Sequence, residues 1–198
     1  MKYIYNIEKT KDYTKKMNFE EKIGKKAQNL LELAVQGFNV PKFSVVTNKY
    51  FREVILDEIK EYNRKERNED EISDWNSIFD KKTERKIENI IKVIKEHKIK
   101  EEFLAEIENI AENNSYYAVR SSSIEEDSSN FSFAGQFETY LYVKKENIIE
   151  KVKEVWISSF SNHVMKYRKE GKINNEINVP AVIIQEMVNS EKAGVGFS

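Results

Sequence analysis

The chain has 198 residues, 34% of them charged, with 33 lysines and arginines against 34 acids and a formal net charge of −1. That balance offers nucleic acid no basic field, and 12% aromatic residues argue against disorder. Cysteine is absent, which excludes disulfides, thiolate zinc sites and cysteine nucleophiles and suits a reducing cytoplasm.

The first ten residues, MKYIYNIEKT, lack the apolar core of a secretory leader, and no window approaches the roughly 18 apolar residues of a membrane span. Residues 2–7 alternate and predict a short strand. In KIGKKAQNLLELAVQGFNVP, Ala27, Leu30, Leu31 and Ala34 recur at helical spacing, and Gly37 stands where a C′ glycine ends a helix. The run after Pro41, KFSVVT, predicts a strand, and Thr47 a helix N-cap. The following helix carries Phe51, Val54, Ile55, Ile59 and Tyr62 on one face. From Asn63 to Asp80 charge dominates and a surface loop is expected. Thr83 caps the next helix, with Ile87, Ile90, Ile91 and Ile94 inward; a further helix uses Phe103, Leu104, Ile107 and Ile110.

Tyr116 to Val143 opens and closes as strands around a polar segment far longer than a hairpin needs. One long amphipathic helix is then expected up to Gly171, burying Ile148, Ile149, Val152, Val155, Trp156 and Phe160. NVPAVIIQEMV predicts an apolar strand, NSEK a turn and AGVGFS a second strand that breaks off unfinished, as in a segment of something longer. The order of elements predicts an α+β, or mixed α/β, fold.

Several chemistries find no support. His97 and His163 sit on predicted helices with no triad or zinc spacing around them and are expected at the surface. Neither GxGxxG nor GxxxxGK[ST] occurs. The remaining candidates are cationic and hydroxylic. Lys25 and Lys26 stand beside Gly24 at a helix start, where a lysine is unfavourable unless an anion is bound; a lysine-rich surface patch is the alternative. Arg120 closes an apolar strand beside three serines, placed either to fork a phosphate or to pair with Glu125, Glu126 or Asp127. Gly135 lets backbone amides approach a phosphate, or simply makes a turn. QEMV, from Gln185 to Val188, ends a strand that can meet a purine edge or be ordinary core.

These segments together resemble, in order and spacing, the N-terminal nucleotide-binding domain of the phosphoenolpyruvate synthase and pyruvate phosphate dikinase family, a domain shared by rifampicin phosphotransferase. IGKKAQNLLEL, VPKFSVVTNKYF, AVRSSSIEEDSSNFSFAGQFETYL, VWISSFSNHVMKYRKEG and PAVIIQEMVNSEKAGVGFS carry the likeness, from about Lys22 to Ser198. The resemblance implies a partial ATP-grasp fold, with residues 1–115 an N-terminal subdomain and 116–198 the phosphate-loop and adenine-strand segment. It implies that Lys26 and Arg120 hold ATP phosphates, that Gly135 and Thr139 lie over them, and that Gln185, Glu186 and Val188 meet the adenine. Lys25 and Ala27 depart from the family's glycines. His163 stands where the family often has arginine, and Ser128 and Ser129 where it has Leu-Pro.

By the same resemblance, the Mg²⁺ ligands, the phosphohistidine domain and the acceptor domain are expected beyond residue 198. This stretch alone is then not catalytically competent. The implied activity of the whole is ATP-dependent phosphoryl transfer in the cytoplasm, with pyruvate the first-choice acceptor. An antibiotic or glucan phosphotransferase is the alternative within the family, and a non-catalytic partner-binding module the alternative outside it.

Overall fold

The computed structural model describes residues 3–7, 20–65, 72, 74–79, 83–112, 115–123, 138–171 and 179–194. Five strands form one antiparallel sheet: β1 (Ile4–Asn6), β2 (Phe43–Val46), β3 (Tyr116–Ser122), β4 (Thr139–Lys144) and β5 (Ala181–Glu186), in the order β1-β2-β5-β3-β4. The apolar run of β5 earns the central place, because both of its faces are covered. It pairs with β2 through Val45↔Ile183 and with β3 through Arg120↔Ile183 and Ala118↔Gln185.

Alternation along the strands sorts two cores onto opposite faces. On one face, Ile23, Ala27 and Leu31 of α1 (Glu20–Val35) pack on Phe43, Val45, Ala181 and Ile183. On the other, Val46, Val119, Val182 and Ile184 meet a larger helical layer. That layer comprises α2 (Leu56–Lys65), α3 (Trp75–Ile78), α4 (Thr83–Glu96), α5 (Glu101–Ile110), α6 (Ile148–Ser158) and α7 (Asn162–Gly171). The result is the α+β fold anticipated from the order of elements.

Most predicted elements are present. α1 ends in a Schellman turn, with Gly37 at φ 86°, Phe38 N–H donating to the Leu33 carbonyl (3.1 Å) and Gly37 N–H to that of Ala34 (3.2 Å). Several details differ. The Thr47 hydroxyl does not cap a helix; it donates to the Tyr3 carbonyl (3.2 Å), stitching β1 to the end of β2. Phe51–Ile55 is a π-helical turn leading into α2. The expected loop from Asn63 to Asp80 instead contains the end of α2 and the short α3, and its Ile72 and Ile78 are buried. Leu104 is exposed at 38% because α5 turns only Phe103 and Ile107 fully inward. The expected long helix breaks between α6 and α7. There the amides of Ser159, Phe160 and Ser161 bond three residues back, and the Ser158 hydroxyl takes the Val155 carbonyl (2.7 Å). Residues 192–194 are not strand, and 195–198 lie outside the described residues.

His97 is buried rather than exposed, whereas His163 is exposed. The Nδ1 of His97 lies 2.7 Å from Glu58 Oε2 and its Nε2 lies 2.9 Å from the Tyr50 hydroxyl, which accepts Lys100 N–H (3.2 Å). This satisfies every group if Nδ1 carries the proton and Tyr50 donates to Nε2. Burial, above all, raises the Tyr50 phenol pKa. Trp156 is fully buried, with its ring 6.0 Å from those of Tyr50 and Phe51. Trp156→Ala should cost about 3–5 kcal/mol, read by chemical denaturation; a loss under 1 kcal/mol would show that the helical layer is not anchored there.

Candidate functional site

The start of α1 is docked on the end of β3. Gly24 interrupts the helix at φ 73°, ψ 166°, so regular turns begin at Lys25. Two amides at this start are taken by β3: Lys25 N–H donates to the Ser123 carbonyl (3.2 Å) and Ala27 N–H to the Ser122 hydroxyl (3.0 Å). The approach requires glycine, since a Cβ on Gly24 would sit 2.2 Å from the Ser122 carbonyl oxygen. The helix start therefore spends two of its donors on protein.

Ala118, Arg120 and Ser122 share the face of β3 that carries α1, because their partners on β5 are Gln185, Ile183 and Ala181. Thr139 is directly opposite Arg120 on β4 and is exposed. Four predicted residues thus belong to one side of the sheet: Lys26 on α1, Arg120 on β3, Thr139 on β4 and Gln185 on β5. Arg120 is only partly exposed, and its Nε is buried with no hydrogen-bond partner among the described residues. An orphaned guanidinium N–H is costly, and an anion would satisfy it. Gly135 and the acids Glu125, Glu126 and Asp127 lie outside the described residues.

Where β5 ends, Gln185 is buried and its side-chain amide reaches the Pro41 carbonyl (3.5 Å). Glu186 N–H donates to the Lys42 carbonyl and Met187 N–H to that of Tyr116, each at 2.9 Å. Beside them β4 bulges. Leu141 and Tyr142 both lie opposite Ala118, between the pairs Tyr117↔Val143 and Val119↔Tyr140, with Tyr142 at φ 55°. Tyr142 N–H donates to Met187 Sδ (3.0 Å), and its ring meets Tyr116 edge-on at 6.1 Å. Tyr116, Leu141, Tyr142 and Val188 are all exposed, an apolar rim at the same end of the sheet as Gln185. On the opposite face of β4, burial and the Glu154 carboxylate hold the Tyr140 phenol protonated.

Sequence reasoning did not link Gly24 to Ser122. A lone glycine before a lysine pair was visible, but which of three consecutive serines met it depends on strand register. Tyr142 carried no signal either, since a bulge with a positive-φ tyrosine has no local pattern.

A helix-layered sheet with a strand-end arginine on the face that carries the docked helix start, and an apolar rim at its end, fits a nucleotide-binding domain. The chain belongs to the family of the pyruvate phosphate dikinase AMP/ATP-binding domain, whose model matches residues 20–198. It is 34% identical over 88% of its length to the uncharacterized phosphotransferase YvkC of Bacillus subtilis, covering 19% of that protein. It is 49% identical over 42% of its length to a probable phosphoenolpyruvate synthase of Archaeoglobus fulgidus, covering 11% of it. Similarity also reaches the prodigiosin synthesizing transferase PigC of Serratia marcescens, at 39% over 41% of this chain and 9% of that protein. The chain thus spans less than a fifth of the length of these relatives. No helix among the described residues is long and apolar enough to cross a membrane.

Proposed function

We propose that this chain holds ATP for phosphoryl transfer, with Lys26 and Arg120 against the phosphates, Gly135 and Thr139 over them, and the adenine near Gln185, Glu186 and Val188. The observation that carries this is the Nε of Arg120, buried without a hydrogen-bond partner among the described residues, on the same face as the docked start of α1. Phosphoryl transfer needs positioned cations and excluded water more than a covalent catalyst, and the described residues supply the cations. The ammonium of Lys26 and the fork of Arg120 would offset part of the triphosphate charge and fix its orientation. The apolar rim of Tyr116, Leu141 and Tyr142 would cover one side of the base.

Mg²⁺ accompanies ATP in this chemistry. Among the described residues no group of three histidines or acids is placed to hold it, so we assign no residue to the metal. Pyruvate is the acceptor we favour, on the names of the phosphoenolpyruvate synthases to which the chain is similar. The likeness to PigC supports a second reading, in which a different acceptor is served by the same ATP half. We place the protein in the cytoplasm and keep residues 1–115 and 116–198 as two functional segments of the nucleotide-binding unit.

The test is thermal. ATP at about 100 times its Kd stabilises a one-site protein by about 2.7 kcal/mol, a Tm rise of roughly 5–10 °C at this size. Lys26→Ala, weakening ATP about tenfold, should halve that rise at the same ATP concentration. A Tm indifferent to millimolar ATP and Mg²⁺ in the longest polypeptide of this reading frame would defeat the proposal.

A further inference from the structure

The three consecutive serines at the end of β3 play three different parts. Ser121 pairs with Val182 and belongs to the face with the helical layer. Ser123 contributes its backbone carbonyl, which any residue would supply. Ser122 offers its side chain to α1: it is 1% exposed, and its hydroxyl accepts the Ala27 amide. This is a helix N-cap supplied from 95 positions away. Ser122 also stands two residues from Arg120 on the same face of the strand, roughly 7 Å along it.

We propose that Ser122 is a positioning residue for ATP: its hydroxyl locks the Lys26 helix start to the strand that bears Arg120, so that both cations are held in one geometry before nucleotide arrives. The inference rests on the phosphate roles proposed above for Lys26 and Arg120. The physical need is plain. Lysines 25 and 26 and Arg120 carry like charge and come from distant parts of the chain, so a neutral clamp opposes their separation at the helix start. Apparent affinity falls in proportion to the fraction of molecules in the competent arrangement; if unlocking leaves about a tenth competent, Kd rises about tenfold. The Ser122 hydroxyl is occupied by the Ala27 amide, so its effect passes through the placement of Lys26.

The experiment compares wild type, Ser122→Ala, Ser122→Thr and Leu31→Ala in the longest polypeptide of the reading frame, with ATP Kd by calorimetry and Tm on each. Leu31 packs α1 on the sheet away from the clamp, so its variant loses stability without unlocking it. The expected result is a Kd raised about tenfold by Ser122→Ala, restored to within about threefold by Ser122→Thr, and unmoved by Leu31→Ala. Equal Kd values for Ser122→Ala and wild type overturn the proposal, as does a Leu31→Ala effect as large at a matched loss of Tm. Hydrogen exchange of the wild type needs no variant: the Ala27 amide should be protected without ATP, and free exchange there overturns a preformed lock. If Lys26→Ala and Arg120→Ala leave ATP Kd unchanged, the phosphate assignment itself has failed and takes this inference with it.

Discussion

Arg120→Ala is expected to weaken ATP binding by about a hundredfold while leaving the fold at least as stable as wild type. The two halves of that result have one cause. A guanidinium fork on a phosphate makes charge-assisted hydrogen bonds, and losing such a buried pair from one side costs about 2–5 kcal/mol of binding. Yet the Nε is buried without a partner among the described residues. Alanine removes that orphaned donor, so the folded protein loses a penalty together with the contact. Arg120→Lys keeps the charge and loses the fork, and should recover only part of the affinity. Calorimetry for Kd and denaturant unfolding for stability separate the effects. A variant that binds ATP normally, or that unfolds much more readily, would show that Arg120 serves the sheet and not the nucleotide.

Gly24→Ala should damage both stability and ATP binding, by about 3–5 kcal/mol of folding free energy. At φ 73° and ψ 166° the backbone lies in a region essentially confined to glycine, which costs another residue about 1–3 kcal/mol. The new methyl would also lie 2.2 Å from the Ser122 carbonyl oxygen, which is backbone and cannot rotate away, and 2.7 Å from its hydroxyl, which could turn aside only by giving up the Ala27 amide. Relief requires α1 to lift off β3, which sacrifices the bonds from Lys25 N–H and Ala27 N–H at about 1 kcal/mol each. Gly37→Ala is the built-in comparison. It has a similar φ of 86° but open space around it, so it should cost only about 1–2 kcal/mol and leave ATP binding intact. Equal losses in the two variants would mean that the contact with Ser122 contributes nothing.

Much of the fold was legible because helices and strands imprint different periods on a sequence. The stripe Ile87, Ile90, Ile94 and the apolar run Ala181–Ile184 both lie buried as their spacing predicted. The failures share a physical origin. Ile72 and Ile78 are core residues in a stretch too polar to show a period, and are buried because the helical layer leaves room for them. His97 looked like a surface residue because nothing near it in sequence could satisfy it; Glu58 and Tyr50 do so from other helices. At the break after Ser158 the Ser158 hydroxyl takes a helix carbonyl, that of Val155, a competition that hydrophobic spacing does not register.

For the candidate site, the amino-acid sequence alone determined the residue types and their order: a lysine pair after a glycine, a strand-end arginine before serines, a threonine opening the next strand, and a glutamine closing an apolar one. It also carried the family resemblance. Only the tertiary structure decided which of these share a face. Arg120, Gln185 and Thr139 fall on the α1 side because strand register has a period of two, and one residue of slip would send all of them to the other core. Likewise it singled out Ser122 from its two neighbours and tied it to Gly24, a contact between backbones that no side-chain pattern encodes.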